Sequence, residues 1–235
     1  TSTQYVQPVE SGFPWWLRWQ HFFNLLFMMF IIRAGLQILA DHPRLYVNSG
    51  SKPDTEWMRL RGPLPADRRD SDDSDTVWTA KEDSVALPKQ LGIPGFRHSI
   101  GLARWWHFSF DLLWLINGLL FVVLLFSTDQ WKRLVPTSLD VFPNALSTAL
   151  QYLSLQLPEN AGFSTYNALQ VLAYFITVFI AAPAALVTGL LQAPSIAGRF
   201  DTGAGLLNRQ VARTIHFGVL IWMLVFILVH TLMIF

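Results

Sequence analysis

No cysteine occurs among the 235 residues, so the chain supplies no disulfide, no thiolate zinc site and no iron–sulfur cluster from its own ligands. Charge is scarce too: Asp, Glu, Lys and Arg make up 14% of the sequence and leave a net charge of +1. No basic stripe is present, which argues against a nucleic-acid partner. A nucleophile–base pair, a phosphate loop and a metalloenzyme motif are also missing, so chemistry at a substrate is expected to belong to a partner. Residues 1–12 are polar and resemble no cleaved signal.

What the chain has in excess is apolar surface. It is 52% hydrophobic, with 18 Phe and 10 Trp, and these residues collect in long runs. Four runs reach the roughly 20 residues that a bilayer requires: Trp16 to Ala40 (interrupted by Arg33), Trp105 to Phe126, Tyr166 to Leu191, and Val211 to Phe235. Trp15, Trp16, Trp19, Trp105, Trp106 and Trp131 fall near the ends of these runs or between them, where indole rings favour the membrane interface. The expected fold is therefore an all-α membrane protein, residues 1–235 forming one four-helix transmembrane domain. Pro183 and Gly189 predict a kink or an early end in the third span. Span four stops five residues after His230, short of the usual flanking anchors, so a longer natural polypeptide is expected.

Two connections carry further structure. Residues 41–104 form a long extramembrane insert whose stretch 68–75 is charged, lacks apolar residues and should be a solvated tip. Its flanks, Pro43-Arg44-Leu45-Tyr46 and Leu91-Gly92-Ile93-Pro94-Gly95-Phe96, mix aromatics with turn residues and suit a small cap. Between spans two and three, Leu146, Leu150, Leu153 and Leu157 repeat at helical spacing, as in a short amphipathic helix on the membrane surface.

The histidines carry the functional signal. His216 and His230 lie fourteen residues apart on span four, which returns nearly the same helix face about 21 Å further along. With the N-terminus on one surface, alternating spans put His21 and His230 near that surface, and His107 and His216 near the other. Two depth-matched imidazole pairs suit two bis-histidine b haems stacked across a bilayer, whereas a zinc site needs ligands converging on one point. His42 and His98 read as surface or cap residues. Haem propionates need donors; Arg33, Arg104 and Arg213, with Arg97 and Arg209, are candidates near the second pair, and Arg18 near the first. Asp111, four residues after His107, is a candidate hydrogen-bond acceptor. Gly35, Gly101, Gly118, Gly189 and Gly218 are candidates for close approach of a porphyrin edge. The alternative is a transporter or proton channel that uses the histidines as a relay, but no internal repeat supports it and the spans offer only Asp111 as a carboxylate.

Arg18-Trp19-Gln20-His21, Trp106-His107-Phe108 and Arg213-Thr214-Ile215-His216 with His230 resemble the di-haem cytochrome b subunits of bacterial oxidoreductases, the family of formate dehydrogenase gamma subunits and nickel–iron hydrogenase cytochromes b. Arg33-Ala34-Gly35-Leu36, His42-Pro43-Arg44-Leu45-Tyr46 and Leu134-Val135-Pro136-Thr137-Ser138 are more similar to a branch associated with sulfite-oxidase-type molybdenum enzymes. The resemblance implies two haems b with His21, His107, His216 and His230 as iron ligands. It also implies electron transfer between a molybdenum or iron–sulfur partner and a quinone, menaquinone or ubiquinone. The implied location is the bacterial cytoplasmic membrane, and a homo-oligomer stays open. Arg18, Gln20, Asn24 and Lys132 are the available donors for a quinone near the His21–His230 pair. Residues 51–87 have no clear counterpart in the classical subunits and suit a partner-docking insert. The family places the N-terminus in the cytoplasm, while the basic residues of the short loops mildly favour the opposite orientation.

Overall fold

Lipid solvates no bare peptide group, so an apolar run that enters it must satisfy every N–H and C=O internally. Each of the four runs does so as one long helix in the computed structural model, which describes residues 4–5, 12–47, 55–60, 83–85, 87–88, 100–156, 166–200 and 208–233. In chain order the elements are β1 (Gln4–Tyr5), α1 (Trp15–Asp41), β2 (Arg44–Leu45), β3 (Met58–Arg59), α2 (Ile100–Ser127), a 3-10 turn (Gln130–Arg133), α3 (Val141–Leu153), β4 (Tyr166–Asn167), α4 (Ala168–Gln192), α5 (Pro194–Phe200) and α6 (Arg209–Leu232). Helices α1, α2, α4 and α6 are long and apolar enough to cross a membrane. Large side chains on their outer faces, such as Leu112, Ile116, Leu119 and Val123 on α2 and Val225, Leu228 and Leu232 on α6, stand exposed. Water would not tolerate such continuous apolar faces; hydrocarbon does.

Local chemistry sets the helix ends. Asn167 accepts from the Gln170 backbone N–H while Gln170 accepts from that of Asn167, a reciprocal capping box that starts α4. Asn208 accepts from the Gln210 N–H ahead of α6. At the end of α2 the Thr128 hydroxyl donates to the Leu124 carbonyl, and Asp129 then turns left-handed, at φ 58°.

The third span does not end early at Pro183. A proline lacks the N–H of the regular ladder and its ring crowds the carbonyl four residues back. The helix accommodates this with a π turn over Ile176–Ala181 and then continues to Gln192. Helix α3 is amphipathic, burying Val141, Ala145 and Thr148 while Leu146, Leu150 and Leu153 are exposed. Leu157 lies outside the described residues, as do Arg97, His98, the stretch 68–75 and the flank 91–96.

By internal contacts the chain divides into two compact units, and each spanning helix contributes one part to each. The first comprises Thr1–Leu25, Trp114–Pro183 and Trp222–Phe235. Its buried core is Val141, Ala145, Ala168 and Val171, where α3 meets α4, and β1 pairs antiparallel with β4. The second comprises Leu26–Leu113 and Ala184–Ile221 and holds the cap. There β2 pairs antiparallel with β3, and Pro43, Arg44, Leu45 and Tyr46 are buried. The Arg44 guanidinium forks onto both Asp83 oxygens at 2.8 and 3.1 Å and reaches Glu56 at 2.6 Å. Arg44 and Asp83 are only 6% and 4% exposed, so this is a desolvated charge cluster that ties together three separate pieces of the insert.

Candidate histidine centres in the membrane-spanning helices

In the second unit His107 of α2 donates from Nδ1 to the Ile31 carbonyl of α1 at 3.1 Å. A carbonyl only accepts, so the ring proton sits on Nδ1 and Nε2 keeps its lone pair. Gly35 follows Ile31 by one turn on the same face, and a Cβ there would stand 3.2 Å from His107 Cε1. This glycine supplies clearance. On α4, Thr188 donates its hydroxyl proton to the Ala184 carbonyl at 2.6 Å, so its oxygen is left to accept from His216 Nδ1 at 3.0 Å. Gly189 beside it is less constrained, since its Cβ would meet His216 Cε1 at 3.5 Å, an ordinary contact. The His107 and His216 ring centroids are 6.3 Å apart with the planes 65° apart.

The first unit repeats the arrangement with other tethers. His21 donates from Nδ1 to the Leu17 carbonyl one turn back on α1, at 2.9 Å. His230 has the Tyr174 hydroxyl 3.4 Å from its Nδ1 and stacks on Phe226, with centroids 5.4 Å apart and planes within 9°. The His21 and His230 centroids are 6.5 Å apart with the planes 31° apart.

These separations test whether a haem iron fits. Two Fe–N bonds of about 2.0 Å, plus about 1.15 Å from each nitrogen to its ring centre, require centroids about 6.3 Å apart. Both pairs meet that figure closely. Three of the four Nδ1 atoms donate to the protein, which fixes the tautomer and leaves Nε2 for a metal, the arrangement expected around ligating imidazoles. Among the described residues no group of three or more His, Asp or Glu side chains is arranged to hold a metal ion. The imidazoles meet in twos, so His107 with His216 and His21 with His230 are the residues that would hold a haem iron.

Around the second pair, Asp111 Oδ2 is 3.6 Å from His107 Nε2, longer than a hydrogen bond. Arg104 lies three residues before His107 and Arg213 three before His216, so each guanidinium rises from its histidine's face one turn nearer the helix start. Both converge on His42: Arg104 Nη2 is 3.2 Å from its Nε2 and Arg213 Nη2 donates to its carbonyl at 3.0 Å. Arg33 is about 200° around α1 from Gly35 and so faces away from His107. Its buried Nε lacks a hydrogen-bond partner, at the edge of an apolar recess of about 250 Å³ formed with Met29, Ile32, Leu36 and Leu87. Around the first pair Arg18 is exposed, Lys132 pairs with Asp129 at 3.2 Å, and Asn24 accepts from Trp114 Nε1 at 2.8 Å. Gln20 is buried with its Oε1 unpartnered. Gly118 and Gly218 face open space.

Sequence reasoning missed Thr188, Tyr174 and the place of His42. The first two are ordinary helix residues whose role exists only across helices. His42 had a signal: Arg-x-x-His occurs at 18–21, 104–107 and 213–216, and a fourth histidine at a helix end was a natural neighbour for those arginines.

No curated protein and no solved structure matches the chain. A family model described as prokaryotic cytochrome b561 matches residues 12–235. Matched by that family model over residues 12–235 and carrying four helices long and apolar enough to cross a membrane, the chain belongs to the prokaryotic cytochrome b561 family, multi-pass membrane proteins that transfer electrons through haem b.

Proposed function

We propose that the His107–His216 and His21–His230 pairs each hold one b haem, and that the chain links a molybdenum or iron–sulfur redox partner to the quinone pool of the bacterial cytoplasmic membrane. The observation that carries this is the pairing itself: two sets of facing imidazoles, three of the four tethered through Nδ1, at the separation an iron between them requires. When bound, each haem supplies a one-electron carrier.

The chain's residues do the rest. The Ile31 carbonyl and Thr188 hydroxyl orient His107 and His216 and keep the Nδ1–H tautomer, which leaves Nε2 available as ligand. Arg104 and Arg213 on the second pair and Arg18 on the first are placed to receive propionate carboxylates. Near the first pair, Lys132 and Asn24 are already engaged, so Gln20 Oε1 is the acceptor best suited to a quinol hydroxyl. The one observation favouring a proton relay is Asp111 beside His107.

Reduced-minus-oxidised spectra with haem quantified per chain separate these readings. Two b haems in the wild type and one in His216→Ala support the proposal. A folded wild type without haem overturns it and leaves the relay.

A further inference from the structure

His42 sits where α1 has just ended and is held by two other helices: Arg104 of α2 contacts its ring and Arg213 of α6 its carbonyl. A guanidinium donates and never accepts. The imidazole Nε2 that faces Arg104 is therefore deprotonated, and Nδ1 carries the ring proton. The charged groups that act on this ring, among the described residues, are Asp41 from α1, Arg104 from α2, and Arg209 and Arg213 from α6. Three cations oppose one carboxylate. Burial first, and then Arg213 and Arg104, hold His42 below the ordinary histidine range, with Asp41 working the other way. Tyr46 stays neutral, because burial raises its phenol further.

The same two arginines precede His107 and His216 by three residues each, so the group they surround borders the end of that histidine pair. Any negative charge added at the pair partly cancels the local cationic excess, and two side chains stand near enough to respond with a proton: Asp111, 3.6 Å from His107 Nε2 within the span, and His42, among the arginines at the cap end, where solvent supplies the proton. The response also has a mechanical side. Once Nε2 bears a proton it no longer accepts from Arg104, and that guanidinium must turn to another acceptor, such as a propionate carboxylate.

Resting on the haem reading of the His107–His216 pair, we propose that His42 is a positioning residue whose protonation is coupled to the charge at that pair, so that an electron arriving there draws one proton from solvent onto Nε2. The balance is simple. One electron enters from a reductant, the redox partner in the membrane or dithionite in a cuvette, and one proton enters at His42. No covalent bond other than the new N–H forms, and the net charge of the site is unchanged.

The test is a spectroelectrochemical titration of the haem-loaded full chain in detergent, across about pH 5 to 9, in wild type and His42→Gln. Glutamine keeps an acceptor for Arg104 but does not titrate. In the wild type, the potential of one of the two haems falls as pH rises through the His42 window, because the reduced state binds the proton more tightly. In His42→Gln that slope is lost for that haem and unchanged for the other, while haem content and spectrum stay those of wild type. In Arg104→Gln, which keeps the histidine and removes one cation, the window moves to higher pH. A wild type without a pH-dependent haem overturns the proposal, as does a slope that survives in His42→Gln, which would assign the proton to a propionate or to Asp111. If His42→Gln loses haem, the Arg104→Gln titration decides, and an unmoved window overturns the proposal. A wild type that binds no haem fails at the underlying reading, visible from the spectrum alone.

Discussion

At the His107–His216 pair both imidazoles are held from neighbouring helices, by a backbone carbonyl and by a threonine whose own proton is spent elsewhere. At the His21–His230 pair one ring is held from within its own helix and stands exposed, and the other meets a tyrosine at 3.4 Å. The ring separations are nearly equal, 6.3 and 6.5 Å, so the difference lies in the support and not in the spacing. The first pair is preorganised by a shell with little freedom. The second has room to adjust.

That contrast can be broken from either side. The largest effect is expected from Asp83→Asn or Arg44→Met, which strip one partner from a buried charge cluster belonging to the His107–His216 unit alone. Such losses cost about 3–5 kcal/mol. Thermal unfolding followed at the haem bands should then show the haem of this pair released first; simultaneous loss of both haems would contradict it. Next, Gly35→Val drives a side chain into the 3.2 Å clearance over His107 and should cost about 1–3 kcal/mol by overpacking. The haem of that pair should fall well below one per chain. Gly189→Ala meets only a 3.5 Å contact and should keep full haem content. A third comparison sets Thr188→Val against Tyr174→Phe. Removing the buried acceptor of a charge-neutral hydrogen bond costs about 1 kcal/mol, so Thr188→Val should broaden the spectrum and shift the potential of one haem. Tyr174→Phe removes a longer contact and should shift the other haem less.

The smallest effect is in pH. The folded chain holds His42 below its unfolded value near pH 6.5, so the unfolded state binds the extra proton first. Stability attributable to His42 is present above that value and is lost as pH falls through it toward the folded one. Denaturant midpoints near pH 5 and pH 7.5 should differ more in wild type than in His42→Gln; equal differences would remove His42 from the account.

Much of this was legible in the sequence because hydrocarbon enforces simple rules. The four spans and the facing depths of the histidines follow from run length and alternation, and helix boundaries differ by only a few residues from the apolar runs. The amphipathic α3 was readable from its leucines. The π turn was not, since Pro183 signals a disturbance in the ladder without saying whether the helix stops or widens. Nor was the bond of Arg44 to Asp83, thirty-nine residues onward through a polar insert. Thr188 and Tyr174 escaped for a related reason: a hydroxyl on an apolar helix usually bonds its own backbone, as Thr188 also does here, and only packing shows its second partner.

The cap's fastenings also set an order in time. Trp57 donates to Thr214, Thr214 to the Tyr46 carbonyl, and Arg213 to the His42 carbonyl, contacts that join the first cap residues to the start of the last helix. Ribosomes add about 5–20 residues per second, so Tyr46 waits on the order of ten to thirty seconds for Thr214 to be made. Through that interval the cap can fasten only within itself and to α2, through Arg44–Asp83 and Arg104–His42, and the contacts that tie it to α6 are made last.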